Sequence, residues 1–409
     1  MLELAIKGNR YYWTWLIVLM LTIAIGAAAY LVQFNVGLAV TGLSRDVSWG
    51  FYIAQLTFLV GVAASAVMVV LPYYLHDYKA FGKITILGEF TAVASICMCG
   101  LFLFVDIGQP MRALNVFLYP SPQSIVFWDA LVLNGYLFLN ILVGWNILEA
   151  ERNGVKPPAW VKPFIYLSIP WAFAIHTVTA FLYCGLTGRG FWLTAIMAPR
   201  FLASAFSSGP AFLILLCFLI RRVSTFDTGR EPIQALAKIA TYGLLANLFF
   251  LLCEVFVVFY SGIPEHIAHF TYLYVGLEGH DFLAPWMWTA LALMGLALIL
   301  LLNPITRRNN LMLILACVAL FTGTWIDKGM GLIAGGFIPT PLHQAVDYIP
   351  SVVELLVSMG IYAIGALILT ILFKLVVEVR NETGAYYAES RQQVHPRPFL
   401  SGSETIDGQ

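Results

Sequence analysis

Ten apolar runs of roughly membrane-spanning length divide this chain, and they leave almost no other architecture open. They extend over about 11 to 33, 50 to 71, 84 to 105, 125 to 148, 163 to 185, 205 to 220, 239 to 260, 283 to 302, 311 to 330 and 351 to 373. Backbone groups in hydrocarbon must be satisfied within the segment, which allows helices or a closed barrel, and continuous apolar runs lack a barrel's alternation. With 60% hydrophobic and 11% charged residues, no soluble class fits. The expected fold is all-α: a polytopic integral membrane protein of about ten transmembrane helices over residues 1–379. A polar, cytoplasmic tail, mobile or bound to a partner, is expected over 380–409.

The basic residues test the span count. The termini and even-numbered connections collect 17 of them, including Lys79, Lys83, Arg152, Arg221, Arg307 and Arg380, whereas the odd-numbered connections, taken with the outer end of the ninth span, collect 5, namely Arg45, Arg112, Arg189, Arg200 and Lys328. One missed or invented helix would exchange the two sides for everything downstream and blur that asymmetry. The positive-inside rule then predicts a multi-pass protein of the cytoplasmic (inner) membrane with both termini cytoplasmic. The run after Lys7 and Arg10 continues to Phe34, longer than a signal peptide's apolar region of roughly 7 to 15 residues, so the first span is expected to be retained. The lipid bilayer is the expected surrounding, and no nucleic-acid partner is expected.

Cys97, Cys99, Cys184, Cys217, Cys253 and Cys317 lie in or beside spans with no C-x-x-C among them, a spacing unsuited to zinc or iron-sulfur ligation. Only His176 among the histidines lies deep in a span, whereas haem b requires two facing axial ligands. The reading is of a chain without haem, iron-sulfur cluster or metal of its own. His266, His269 and His280 share an outer connection with Glu265, Glu278 and Asp281 and no Lys or Arg; this reads as a wet acidic loop or a docking face for a basic partner. The outer connections are longer than the inner ones and rich in Gly, Pro and aromatics, suggesting a platform for another protein or a ligand entrance.

Ionisable residues inside spans are costly, by roughly 2.5 to 3.5 kcal/mol each at mid-bilayer, and mark functional sites by default. Asp106, Asp129, His176 and Glu254 fall in the outer half or middle, and Glu89 in the inner half. The pattern suggests a polar site opening toward the outer face, with one relay toward the cytoplasm. Duller roles stand beside this: helix caps for Asp106 and Asp129, a helix-helix hydrogen bond for His176 and Glu254, and a capping box for Ser351 with Glu354. Asp327 and Lys328 are adjacent near the outer end of the ninth span, where pairing or snorkelling accounts for them.

Four blocks carry a family resemblance: WGFYIAQLTFLVGVAASAV from Trp49, LGEF from Leu87, DIGQPMRALNVFLYPSPQSIVFWD from Asp106 to Asp129, and PWAFAIHTVTAFLYCGLTGRGFWLTAIMAPRFLASAFSSGPA from Pro170 to Ala211. In combination they resemble the NrfD or PsrC-like family of membrane subunits of prokaryotic redox complexes. Within it, the opening ELAIKGNRYYWTWL, the ten spans and the length are most similar to the DsrP subunits of sulfate- and sulfur-metabolising organisms. The resemblance implies a subunit without its own redox centre that exchanges electrons between menaquinone, held as a bound substrate, and an outer-face ferredoxin-like iron-sulfur protein. For a Dsr complex the implied neighbours are a DsrO-like iron-sulfur subunit, a DsrJ-like c-type cytochrome, a DsrM-like haem b membrane subunit and a DsrK-like cytoplasmic iron-sulfur subunit. It also implies two four-helix bundles, about 50–185 and 239–373, plus two extra helices.

Quinol oxidation releases two electrons and two protons, so each quinone oxygen needs a hydrogen-bond partner and at least one base must accept a proton. Asp129, His176 and Asp106 are expected to border the head group, with Arg112 and Arg189 as outer charge partners and Trp128, Tyr136 and Tyr183 shaping the wall. Glu89, Asp129, His176 and Glu254 are the expected proton carriers. Glu89 and Asp129 stand at different depths, which predicts a relay between them, and protons drawn from the cytoplasm would make turnover electrogenic. Two other classes remain open on sequence: a structural anchor for electron-transfer proteins, and a secondary transporter, for which Pro170 and Pro210, near span ends, give little support.

Overall fold

The computed structural model describes residues 2–394. Among the described residues ten helices are long and apolar enough to cross a membrane: α1 (Arg10–Val36), α2 (Phe51–Leu75), α3 (Thr85–Asp106), α4 (Ile125–Arg152), α5 (Val161–Cys184), α6 (Met197–Val223), α7 (Arg230–Ser261), α8 (Ala284–Leu302), α9 (Asn310–Phe337) and α10 (Val352–Val394). No β-strand is formed among the described residues. Because the helices alternate in direction, the start of α1 and the end of α10 share one face, the termini face, which carries most of the Lys and Arg. The opposite side is called the far face below.

Local chemistry sets the helix ends. Asn9 caps α1 by accepting from Tyr12 N at 2.9 Å, and Asn309 caps α9 by accepting from Leu311 N at 3.0 Å. The capping box at α10 forms, with Ser351 N donating to Glu354 Oε2 at 2.8 Å and Glu354 N donating to Ser351 Oγ at 3.2 Å. Glu354 does more than cap: it also accepts from Gly42 N at 2.7 Å and from the Tyr348 hydroxyl at 2.6 Å, fastening two far-face connections to the helix start.

Two span boundaries and one helix grouping differ from the expectation. The sixth helix begins at Met197 rather than near 205, which puts Arg200 inside it, and the ninth runs to Phe337 rather than 330, which moves Asp327 and Lys328 away from its end. Pro170 and Pro210 likewise fall in helix interiors and not near span ends. Helices α2 to α5 pack together, whereas the second group consists of α6 to α9; α10 leaves it to pair with α1 and lie against α3 and α4. The second bundle expected over 239–373 is therefore shifted by one helix. The cause is visible in the contacts: α6 carries an arginine whose partners are on α7 and α9, while α10 meets α1 at a glycine pair. A Cβ on Gly26 would stand 2.6 Å from Gly360 Cα, a close backbone approach that only small residues permit.

α2 lies at the centre. Its most apolar 18-residue stretch is 100% buried, against 17% for that of α1, because it packs on α3, α5, α6 and α9 together. At the assigned start of the polar tail there is no break: Arg380 is within α10 and donates to Glu151 Oε1 at 2.9 Å and to the Gly82 carbonyl at 3.3 Å. Residues 395–409 of the expected tail lie outside the described residues.

Candidate functional site

Helical periodicity brings two polar stripes face to face in the first group. On α4 the buried positions include Asp129, Tyr136, Asn140 and Gly144, spaced so that all share one face. On α5 the corresponding face carries Ser168, His176, Thr179 and Tyr183. The stripes meet where Thr179 Oγ1 donates to Asp129 Oδ1 at 2.6 Å. One helical turn beyond, the Tyr183 hydroxyl contacts Thr57 Oγ1 of α2. Thr57 donates its own proton to the Ile53 carbonyl at 2.7 Å, which makes Tyr183 the donor in that contact. His176 is completely buried, and neither ring nitrogen has a hydrogen-bond partner. Such an orphaned pair of nitrogens is unusual in a native interior.

Glu89 is buried near the termini end of α3, its Oε2 without a partner. A Cβ on Gly144 would stand 3.0 Å from that oxygen, so the α4 stripe that starts at Asp129 ends against Glu89. At 1.5 Å per residue the two carboxyls differ in depth by roughly 20 Å, and Tyr136 and Asn140 lie between them. Direct contact is excluded and a stepwise path is outlined. Asp106 closes α3 with Oδ1 buried and unpartnered, within electrostatic reach of Glu354.

The second group holds a buried ion cluster. Arg200 of α6 donates to Glu254 of α7 and, through Nη2, to both Asp327 oxygens on α9 at 2.9 and 3.0 Å. Asp327 and Lys328 are 3% and 5% exposed, which corrects the reading of snorkelling residues. Their position is set by a π-helical turn over Ile326–Gly331, a wide turn rare in helices and frequent at functional sites. Glu254, an expected proton carrier with a helix-helix hydrogen bond as its other reading, is ion-paired with Arg200 of α6. A narrow cavity lined by Phe191, Arg200, Phe270, Tyr274 and Asp327 adjoins the cluster.

Not every expected residue joins the site. Trp128 is 43% exposed and donates to the Pro122 carbonyl at 2.8 Å, so it faces out of α4 rather than into a wall. Arg112 is exposed, and Arg189 donates to the Phe337 carbonyl at 3.2 Å while lying 4.2 Å from that ring's centroid; neither makes an ion pair among the described residues. His269 is also not in a wet loop. It sits on the far-face helix Pro264–Tyr274, 6% exposed, its Nδ1 placed between the carbonyls of Gly335 at 2.7 Å and Ile338 at 3.0 Å.

Sequence reasoning missed Gln55 and Arg200. Gln55 Oε1 accepts from Trp325 Nε1 at 2.7 Å and from the Tyr362 hydroxyl at 2.6 Å, while its Nε2 is left without a partner; it ties α2 to α9 and α10. A glutamine inside an otherwise apolar span was the available signal. For Arg200 the signal was depth: Arg200, Glu254, Asp327 and Lys328 all fall within roughly three turns of a far-face end, with both signs present.

Comparison with known proteins gives a match of residues 39–339 to the family described as Polysulphide reductase, NrfD. A Halobacterium salinarum protein provisionally named as a membrane subunit of dimethyl sulfoxide reductase is 27% identical, covering 87% of this chain and 88% of its own length. The Hdr-like menaquinol oxidoreductase integral membrane subunit of Archaeoglobus fulgidus is 24% identical over 90% of this chain and 94% of its own. The menaquinone reductase integral membrane subunit of Nitratidesulfovibrio vulgaris is 24% identical over 85% and 87%.

Proposed function

The chain belongs to the NrfD family of multi-pass membrane proteins, and from that premise we propose that it is the quinone-interacting subunit of a membrane redox complex, not catalytic alone. It exchanges electrons between menaquinone and an iron-sulfur partner on the far face. The observation that carries the reading is the buried constellation of Asp129, Thr179 and His176. There an apolar interior holds a carboxyl group with one hydrogen bond and an imidazole with none. A quinone needs such groups, because each carbonyl oxygen takes a hydrogen bond and each proton released on oxidation needs an acceptor beside it. The relatives named for menaquinol and menaquinone support the choice of ligand.

In this proposal the ring is seated by parting the side chains of α4 and α5, with Tyr136 and Tyr183 against its faces and the isoprenoid tail left toward lipid. Asp129 and His176 accept the protons; Asp106 borders the far side. Tyr136, Asn140 and Glu89 continue a path toward the termini face, so proton translocation is part of the proposal. The finer reading, a DsrP-like subunit beside DsrO-, DsrJ-, DsrM- and DsrK-like partners in the inner membrane with cytoplasmic termini, rests on the opening segment and on charge asymmetry.

The test is quinone binding and quinol oxidation by the assembled complex, comparing wild type with Asp129→Asn and His176→Gln. Loss of binding or turnover in variants that assemble supports the site. Full activity in both would leave the chain as a membrane anchor for electron-transfer subunits.

A further inference from the structure

We infer that Lys328 carries protons between the two helix groups, joining the proposed quinone site in α2–α5 to the ion cluster in α6–α9. The inference rests on the quinone reading and adds to it a lateral branch. Four observations lead to it. First, Lys328 does not take part in the ion cluster next to it. Arg200 Nη2 occupies both oxygens of Asp327, and no carboxylate ion-pairs with Lys328 among the described residues. Its ammonium has three donors and finds the Phe201 carbonyl at 3.4 Å and the Phe201 ring at 4.3 Å from the centroid.

Second, the lysine reaches toward the other group. A Cβ on Gly61 of α2 would stand 3.1 Å from Nζ and 3.6 Å from Ser208 Oγ of α6, so the absence of a side chain at 61 is what gives the ammonium its place between α2 and α6. Third, Asp327 and Lys328 are adjacent on the π-helical turn and serve different sides: Asp327 meets Arg200 while Lys328 meets the α2 seam. Fourth, on the first-group side of that seam stands His176, with both ring nitrogens buried and unpartnered, on a helix that packs against α2 and α6. The charged or titratable groups around Lys328 are Arg200 on α6, Asp327 on α9, Cys99 on α3 and His176 on α5.

Lys328 Nζ and Ser208 Oγ border the same gap at Gly61, and His176 lies on the neighbouring α5 with both nitrogens free; an ordered water with two to four partners bridges buried groups in such a setting. The step balances without redox chemistry. A proton released by quinol protonates His176; the Lys328 ammonium loses one N–H proton to an Asp327 oxygen as Arg200 turns its donors to Glu254; the amine so formed takes the proton from the His176 N–H, and the ammonium is restored. The electrons leave separately to the iron-sulfur partner.

The experiment is a quinone-redox infrared difference spectrum of the assembled complex, with the Asp327 carboxyl band identified by its loss in Asp327→Asn. We expect that band to respond to quinol oxidation in wild type and to vanish in Lys328→Met while quinol still binds. Gly61→Val leaves every charged group in place, presses on the ammonium, and should diminish the band even if Lys328→Met fails to assemble. An unchanged Asp327 band in the assembled variants, or its absence from a wild type that binds quinol, overturns the proposal. A wild type that binds no quinol removes the quinone reading first, and this one with it.

Discussion

In α6–α9 the guanidinium of Arg200 is held by Glu254 and by both oxygens of Asp327. In α2–α5, Asp129 takes one hydrogen bond from Thr179, while Glu89 Oε2 and both nitrogens of His176 take none. The two groups are built from the same kind of apolar helix, and both bury ionisable residues. What differs is where the missing interactions are to come from. A charge satisfied within the protein stabilises one arrangement of helices and has little left to offer a ligand; it takes a proton only when its partner lets go, as Arg200 does in the step inferred at Asp327. A polar group left unsatisfied costs stability and keeps its hydrogen-bonding capacity for a substrate or a travelling proton.

The strongest way to break this contrast is to unpair the saturated side. Arg200→Leu leaves two buried carboxylates without their cation and should cost about 3 to 5 kcal/mol, seen as lost assembly or a large drop in thermal stability of the purified complex. A near-wild-type melting temperature would mean that the cluster is not structural. On the other side the order of effects reverses. Asp129→Asn should leave stability close to wild type but lower quinol oxidation by about 100-fold or more if Asp129 accepts a proton, measured as turnover at matched complex concentration. Unchanged turnover would place α2–α5 with the structural region.

A smaller effect sharpens the picture within the site. Thr179→Val removes the single hydrogen bond on Asp129, worth about 0.5 to 1.5 kcal/mol, and should weaken turnover several-fold without abolishing it. An effect as large as that of Asp129→Asn would make Thr179 a direct partner of the substrate. The smallest effect is a pH dependence outside the spans. Burial foremost, with nearby His266 and Arg189, holds His269 below its ordinary value of 6.5. The unfolded chain therefore binds a proton more readily than the folded one, so stability is full above pH 6.5 and falls as the pH drops through that value toward the lower native one. His269→Gln should flatten melting temperature against pH across that window; an unchanged slope would assign the dependence elsewhere.

The alternation of ten helices was legible because each apolar run is an independent, local signal. The two misplaced boundaries share one cause. Reading along the chain, Arg200 and the Asp327–Lys328 pair look like span ends, since a lone charge belongs in water; inside the fold, Arg200 and Asp327 neutralise each other across 127 residues of sequence, a relation no local window contains. The same limit applies to the site. Asp129, His176, Tyr136 and Tyr183 stood out as polar or aromatic residues in apolar helices, and their burial agrees with that. Trp128 did not follow its neighbour Asp129 inward, because adjacent residues on a helix point about 100° apart. The grouping of α6 with α7–α9 followed from a partner choice made in three dimensions.

The full enclosure of α2 also has a consequence for biogenesis. With a mean hydropathy of 2.2, against 2.4 for the most apolar spans, this helix is fit to enter the bilayer, yet in the finished protein it touches almost no lipid. It must therefore exchange a lipid coat for a protein one, and the exchange is complete only after α9 and α10 have been synthesised and Trp325 and Tyr362 have reached Gln55. A hydrophobic segment made well before α9 and α10 is thus among the last to find its final surroundings, and lipid-directed crosslinking from position 59 in nascent chains of increasing length would follow that hand-over.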